Sequence, residues 1–278
     1  MSSKSSGPAP SPTLTNKLRR HFASDNYAGI APEAWAALEE ANLRPTLAGG
    51  SSAGALVTGL WAAGVPATAI RDRLLSLQRR DFWDLDPLLG LLPGRGSGGG
   101  MLRGQAFGAL LEEVLADVGA RRMGDCPIPL RVVAYDVDRR TTVVLADHDL
   151  PLALSLRASC SFPVLFQPTQ IAGARYLDGG IEDRAGIRAA TPGARVLFHH
   201  LVSRSPWRHF RAEQNGVPPW PRLHVLSEPG LPRMGPFRMG QGRRAFDLAY
   251  EMAQRTLDQP VAATQTTNDT ALPHPSAG

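Results

Sequence analysis

The sequence predicts an α/β fold organised around a largely parallel sheet, and three observations carry that expectation. Strand-like and helix-like stretches alternate along most of the chain. The run Gly50-Ser51-Ser52-Ala53-Gly54 fits G-x-S-x-G, a sharp strand-to-helix turn that forces a serine hydroxyl into the open. At 278 residues, 43% of them hydrophobic, the chain has room for one large α/β domain or two small ones.

The elements follow in order. Residues 1–17 open Ser/Pro-rich, lack the apolar stretch of a secretion signal, and read as a disordered tail. Pro32 to Ala41 carries Ala34, Trp35, Ala37, Leu38 and Ala41 at helical spacing, with proline near the first turn. Pro45 to Gly49 is short enough for a buried strand before the serine turn, and Ala53 to Ala63 suits a helix pressed against a sheet. Ala67 to Gln78 is a second helix in this reading, and Gly94 to Gly100 a flexible loop. Arg103 to Val118 puts Phe107, Leu110, Leu111, Val114, Leu115 and Val118 on one helix face. Leu130 to Tyr135 and Thr141 to Leu145 are strands around a turn at Val137 to Arg140. Leu150 to Ala158 reads as a helix, Ala194 to Val202 as a buried strand, Leu223 to Leu226 as a short strand and Ala245 to Leu257 as a closing helix. Beyond Pro260 the chain turns polar, and 261–278 is expected to be a loose tail.

Composition narrows the function classes. Two cysteines, Cys126 and Cys160, give neither a disulfide framework nor zinc spacing. No His or carboxylate cluster has the spacing of a metal site, so no metal and no cofactor are expected. No apolar run reaches the length of a membrane span. The net charge of +5 is almost all arginine, since lysine occurs only at Lys4 and Lys17. The arginines are scattered, so no nucleic-acid surface is expected. The reading is a cytoplasmic protein with scope for peripheral contact with an anionic membrane surface.

Around the serine turn the sequence resembles a known family. The run from Ala37 through Leu38-Glu39-Glu40-Ala41-Asn42 to Pro45, then Gly50-Ser51-Ser52-Ala53-Gly54-Ala55-Leu56, looks like patatin-like phospholipases, where a helix ending in LEE precedes G-[TS]-S-[AT]-G-A-L. Pro129 to Asp136 resembles that family's central strand. Arg157-Ala158-Ser159-Cys160-Ser161-Phe162-Pro163-Val164-Leu165-Phe166-Gln167-Pro168 is similar to its R-A-S-x-x-x-P-x-x-F-x-P segment. Tyr176-Leu177-Asp178-Gly179-Gly180 is similar to its D-G-G motif. Four matches in the family's order, within about Ala34 to Leu257, imply a patatin-like three-layer α/β/α domain spanning 34–260.

The resemblance implies a Ser-Asp dyad. Carried over, Ser52 is the nucleophile and Asp178 the base, with the two side chains within hydrogen-bond reach. Gly179 and Gly180 would let the backbone fold Asp178 close to the serine, and Gly50 and Gly54 frame the turn. Taken alone, Asp-Gly-Gly is also a routine turn signal. Burial would raise the Asp178 pKa and make it a better base. The rival is a histidine triad in the order Ser, Asp, His, for which His224 and His274 lie downstream. His199 and His200 fall inside a strand and read as structural.

One region departs from the family. Patatin-like enzymes open with an apolar strand and a G-G-G-x-[RK]-G loop whose N–H groups form the oxyanion hole. Here Leu18 to Gly29 shows no apolar strand and keeps only Gly29, so the first strand and the oxyanion loop are expected to be missing. The Ala53 N–H supplies one donor, and losing the other would lower turnover by about 10²-fold or more. The atypical segment 18–33 has its own resemblance: Phe22 to Glu33 looks like the start of low-specificity threonine aldolases. That chemistry needs an internal Schiff-base lysine, and none follows Lys17. The expected function is a lipid acyl hydrolase acting on carboxylic esters of phospholipids or other lipids. The alternative is a catalytically inactive relative that binds lipid or a partner.

Overall fold

The computed structural model describes residues 21–24, 45–86, 100–200, 218–227 and 242–257. The described strands form one eight-stranded sheet. They are β1 His21–Ser24, β2 Ala48–Ser51, β3 Leu130–Asp136, β4 Thr141–Leu145, β5 Thr169–Ile171, β6 Ala174–Asp178, β7 Val196–His200 and β8 Leu223–Ser227. Helices α1 Ala53–Ala62, α2 Ala67–Ser76, α3 Gln105–Ala116, α4 Leu152–Ser159 and α5 Gly242–Leu257 accompany it. Strands β3, β2, β1, β7 and β8 lie side by side and parallel. Antiparallel β4 and β6 both pair with β3, and β5 pairs with β6.

The sheet separates two apolar layers. Strand residues alternate between faces, and β7 shows it: Leu197 joins the large cluster holding residues of all five helices, while Val196 and Phe198 join a smaller one with Ala185, Ala190 and Trp220. Because both faces are covered, every residue of β7 is buried. Helix α1 is buried on all sides from Gly54 to Ala62, the pattern of a helix inside a core rather than on it. It meets α4 closely, since a Cβ at Gly59 would lie 2.4 Å from Leu156 Cδ2. Helix α5 is the amphipathic contrast, with Ala249, Met252 and Ala253 buried and Arg243, Arg244 and Asp247 exposed.

The expected absence of a first strand is corrected. Residues His21–Ser24 form a strand between β2 and β7, with Phe22 opposite Ala48 on one side and Leu197 on the other. A strand flanked on both edges draws its hydrogen bonds from two neighbours, so four residues suffice without an apolar run. Two further strands, β5 and β6, went unread in the sequence. Their turn is Ala172-Gly173, both at positive φ (49° and 84°), a hairpin geometry whose usual Asn-Gly signal is replaced by Ala-Gly. Other elements shift by a few residues. The strand expected over Pro45 to Gly49 is Ala48–Ser51, so Ser51 belongs to the sheet and the turn narrows to Ser52. The segment after β1 where the oxyanion loop is expected to be missing, the helix expected over Pro32 to Ala41, the loop at 94–99 and both tails lie outside the described residues.

Leu156 is fully buried and ties α4 to α1. Leu156→Ala is expected to lower unfolding free energy by about 2–5 kcal/mol, read as a drop in the urea midpoint.

Candidate active site

Strand β3 has two edges and three partners. β4 runs along residues 132–136 of one edge. The other edge is divided, β2 taking residues 130–133 and β6 taking 134–136. β2 runs parallel to β3 and ends with Ser51 opposite Val133, while β6 runs the other way and ends with Asp178 opposite Ala134. The two strands therefore meet end to end, and the residues at the junction are Ser52 and Asp178. The Ser52 hydroxyl donates to Asp178 Oδ2 at 2.5 Å across 126 residues of chain.

The backbone at the junction is tight. Ser52 sits at φ 56°, ψ −133°, a conformation that costs on the order of 1–3 kcal/mol for a non-glycine residue. It turns the chain from β2 straight into α1 and leaves the hydroxyl partly exposed. A Cβ at Gly50 would lie 2.8 Å from Ala55 N and from the carbonyl carbon of Gly54, which is buried in the first turn of α1. A Cβ at Gly179 would lie 2.4 Å from the Val133 carbonyl oxygen and 2.7 Å from Ser51 Oγ. Only glycine at these positions lets the two strand ends close on each other.

Asp178 is 4% exposed. Its Oδ1 accepts the Gly180 N–H at 2.7 Å and its Oδ2 accepts the Ser52 hydroxyl. Burial raises its pKa to about 6, against the opposing pull of those two hydrogen bonds and of Arg184 nearby. At neutral pH the group is ionised yet far more basic than a solvated aspartate.

A residue whose role the sequence did not show completes the junction. Ser159, at the end of α4 and fully buried, accepts the Ser52 N–H at 2.8 Å and donates to the Val133 carbonyl at 2.6 Å. It thus pins the strained turn to β3. Its segment was legible as R-A-S. The signal for Ser159 itself is a hydroxyl closing the helix Leu-Ala-Leu-Ser-Leu-Arg-Ala-Ser, where a buried polar group must find partners.

The histidines stand elsewhere. His224 lies on β8, three strands from β2, and His199 on β7, two strands away, or about 14 Å and about 10 Å at ordinary strand spacing. Burial, reinforced by neighbouring His200, lowers the His199 pKa to about 4, and the His200 ring stacks on Phe198. His274 lies outside the described residues. Cys160, beside the site, is held as a thiol by burial and by Asp178. The Ala53 N–H heads α1, where helix geometry leaves it without an intrahelical acceptor. Ser24, at the end of β1, is opposite Gly50, two residues before Ser52. Among the described residues no group of three or more His, Cys, Asp or Glu could hold a metal ion.

The fold is a three-layer α/β one, and its strand–serine–helix turn faces a buried carboxylate at the carboxyl end of a parallel strand. The family model for patatin, described as patatin-like phospholipase, matches residues 27–191, and the chain belongs to that family. It is 29% identical over 191 residues to the uncharacterized protein YqhO of Bacillus subtilis (strain 168), covering 58% of this chain and 62% of YqhO. The chain thus spans less than two thirds of that relative's length. In structure it is similar to VipD from Legionella pneumophila, with a TM-score of 0.51 at 15% identity, covering 87% of this chain and 67% of VipD. It also matches ExoU in the ExoU–SpcU complex of Pseudomonas aeruginosa, with a TM-score of 0.43 at 18% identity, covering 87% of this chain and 52% of that one.

Two outcomes follow from this geometry. Ser159→Ala leaves the Ser52 N–H and the Val133 carbonyl without their shared partner. It is expected to displace Ser52 and so to lower kcat on a short-chain nitrophenyl ester by about tenfold or more, with a smaller change in KM. The second concerns pH. The folded pKa of Asp178 lies above 3.8, so its contribution to stability is full below 3.8 and is lost as pH rises through about 6. Asp178→Asn removes that loss. The stability of the variant relative to the parent is expected to grow between pH 4 and pH 7.5 by up to about 2–3 kcal/mol, measured by urea unfolding. A difference that stays flat with pH would show that the carboxylate is not destabilised by burial.

Proposed function

We propose that this chain is a serine-dependent lipid acyl hydrolase that cleaves carboxylic esters of phospholipids or related lipids. The observation that carries the reading is the 2.5 Å contact between a backbone-strained serine and a buried carboxylate. The substrate class rests on membership of the patatin-like phospholipase family.

In this reading Ser52 Oγ attacks the ester carbonyl carbon as its proton passes to Asp178 Oδ2. Negative charge moves onto the former carbonyl oxygen, where the Ala53 N–H is one donor. The intermediate collapses, the C–O bond to the alcohol breaks, and Asp178 returns the proton to the departing oxygen. Water then attacks the acyl-serine with Asp178 again accepting a proton, which passes back to Ser52 as the fatty acid leaves. A carboxylate with pKa about 6 suits this work, since it is ionised at pH 7 and near the operating pH. The inactive alternative rests on the expected loss of the oxyanion loop; β1 restores the first strand alone, and the segment that follows it, 25–44, lies outside the described residues.

A fluorophosphonate probe is expected to label the protein at Ser52, with labelling abolished in Ser52→Ala. Asp178→Asn is expected to lower ester turnover by about 10²–10⁴-fold, while His224→Ala keeps most of it. In the parent, kcat/KM should rise with pH through about 6 as Asp178 ionises. Labelling that persists in Ser52→Ala, or activity lost in His224→Ala but kept in Asp178→Asn, would overturn the assignment.

A further inference from the structure

We propose that the face formed by Leu85, Met101, Phe162 and Val164 is where this protein docks on an anionic lipid surface. The inference deepens the lipid-hydrolase reading and rests on it for the choice of a lipid occupant.

These residues are the exposed large hydrophobic side chains among the described residues, at 55%, 41%, 41% and 69%. Scattered singly they would need no explanation. Instead they come together from three chain segments stitched by backbone hydrogen bonds. Leu85 bridges Leu102, the Asp86 N–H donates to the Met101 carbonyl at 2.9 Å, and the Met101 N–H donates to the Val164 carbonyl at 3.1 Å. Leu102 at the centre, the bridge partner of Leu85, is fully buried and anchors the ribbon, while the four apolar side chains stay exposed.

Val164 adds a second observation. It has φ 72°, a region that a β-branched residue rarely adopts. In water this valine carries backbone strain and gains no burial in return. In the interfacial layer of a membrane the same side chain would be buried.

Charge identifies the kind of surface. The local carboxylates are engaged within the protein: Asp84 accepts the N–H groups of Gly104, Gln105 and Ala106, Asp81 accepts that of Gln78 and faces Arg80 at 3.9 Å, and Asp86 accepts from the Gln167 amide and faces Arg103 at 3.5 Å. Arg79 and Arg80 are exposed, and the Arg79 guanidinium lies over the Trp83 ring. Exposed apolar side chains, with two exposed arginines a few residues before Leu85 in the chain, match an interface with negative headgroups. The face also adjoins the site, because Phe162 follows Ser161, whose carbonyl accepts the Asp178 N–H at 3.0 Å. A lipid surface held there would present esters to Ser52.

The test uses the full chain as Ser52→Ala, so that no lipid is consumed. Flotation with phosphatidylcholine vesicles, with and without phosphatidylglycerol, should show binding that favours the anionic vesicles. Leu85→Ser with Val164→Ser should weaken it by about tenfold or more, and Arg79→Gln with Arg80→Gln should remove the anionic preference. Val164→Gly relieves strain, so it should raise the melting temperature while weakening vesicle binding, whereas a packing role for Val164 would lower the melting temperature. Unchanged flotation of the Leu85/Val164 double variant, or no flotation of the parent chain, overturns the proposal. So does a double variant that merely shifts sedimentation from dimer to monomer, which would assign the face to a second copy. Vesicle binding through this face with no probe labelling of Ser52 would sink the hydrolase reading and leave the docking surface standing.

Discussion

The sharing of one edge of β3 by two strands running in opposite directions is the constraint on which the rest of the site depends. β2 and β6 cannot overlap on that edge, so each ends where the other ends, at the Val133/Ala134 boundary. Ser52 and Asp178 are brought together by register, not by loop flexibility. Register in a sheet with both faces buried is strongly specified, because a slip of one residue would turn every buried side chain to the wrong face. The small residues follow from the same constraint. Gly179 must clear the Val133 carbonyl, Gly50 must clear the start of α1, and Gly186, at φ 64°, lies so close that a Cβ there would be 2.8 Å from Ser51 N.

Such a junction is costly to the fold. It holds a serine in a strained conformation, a carboxylate out of water and the Ser51 hydroxyl buried without a hydrogen-bond partner. The surrounding structure offsets this through the packing of α1 and α4, both drawn from the large core. Ser159 converts part of that packing into positioning, since one hydroxyl joins the turn, α4 and β3. The concentration of strain and unmet polarity at one point is what a functional site looks like in a fold that is elsewhere locally consistent.

Much of this was legible in the sequence, and the exceptions have physical causes. G-x-S-x-G and Asp-Gly-Gly could be read because close approach permits only glycine at those places. The helices over 105–116 and 152–159 could be read because their apolar faces keep the helical period. β1 was not legible because its sequence, His-Phe-Ala-Ser, has no apolar run, and its stability comes from neighbours more than 20 residues away in the chain. The β5–β6 hairpin was hidden by an Ala at positive φ where Asn is usual. Ser159 was in view as a motif residue, but its role is a contact across 107 residues to a backbone N–H, and no local pattern encodes such a partner.

In the proposed reaction the engagement of the Ser52 N–H also decides where negative charge is met. That amide is occupied by Ser159, so the next one along, on Ala53, is the first that the turn offers to an incoming carbonyl. It stands at the head of α1, whose first turn carries no acidic residue and whose N-cap, Ser52, makes no side-chain bond to the helix's own N–H groups. The partial positive charge of that helix end is therefore not spent on a cap and is directed toward the serine. The buried carboxylate and the helix end then have opposed effects in the proposed reaction. Asp178 starts charged and is neutralised as it takes the serine proton, while the charge passes to the carbonyl oxygen within reach of the helix end. Within the protein the reaction moves negative charge from a place where burial makes it costly toward one where the backbone favours it, and a serine fixed by three elements of the fold is the route for that transfer.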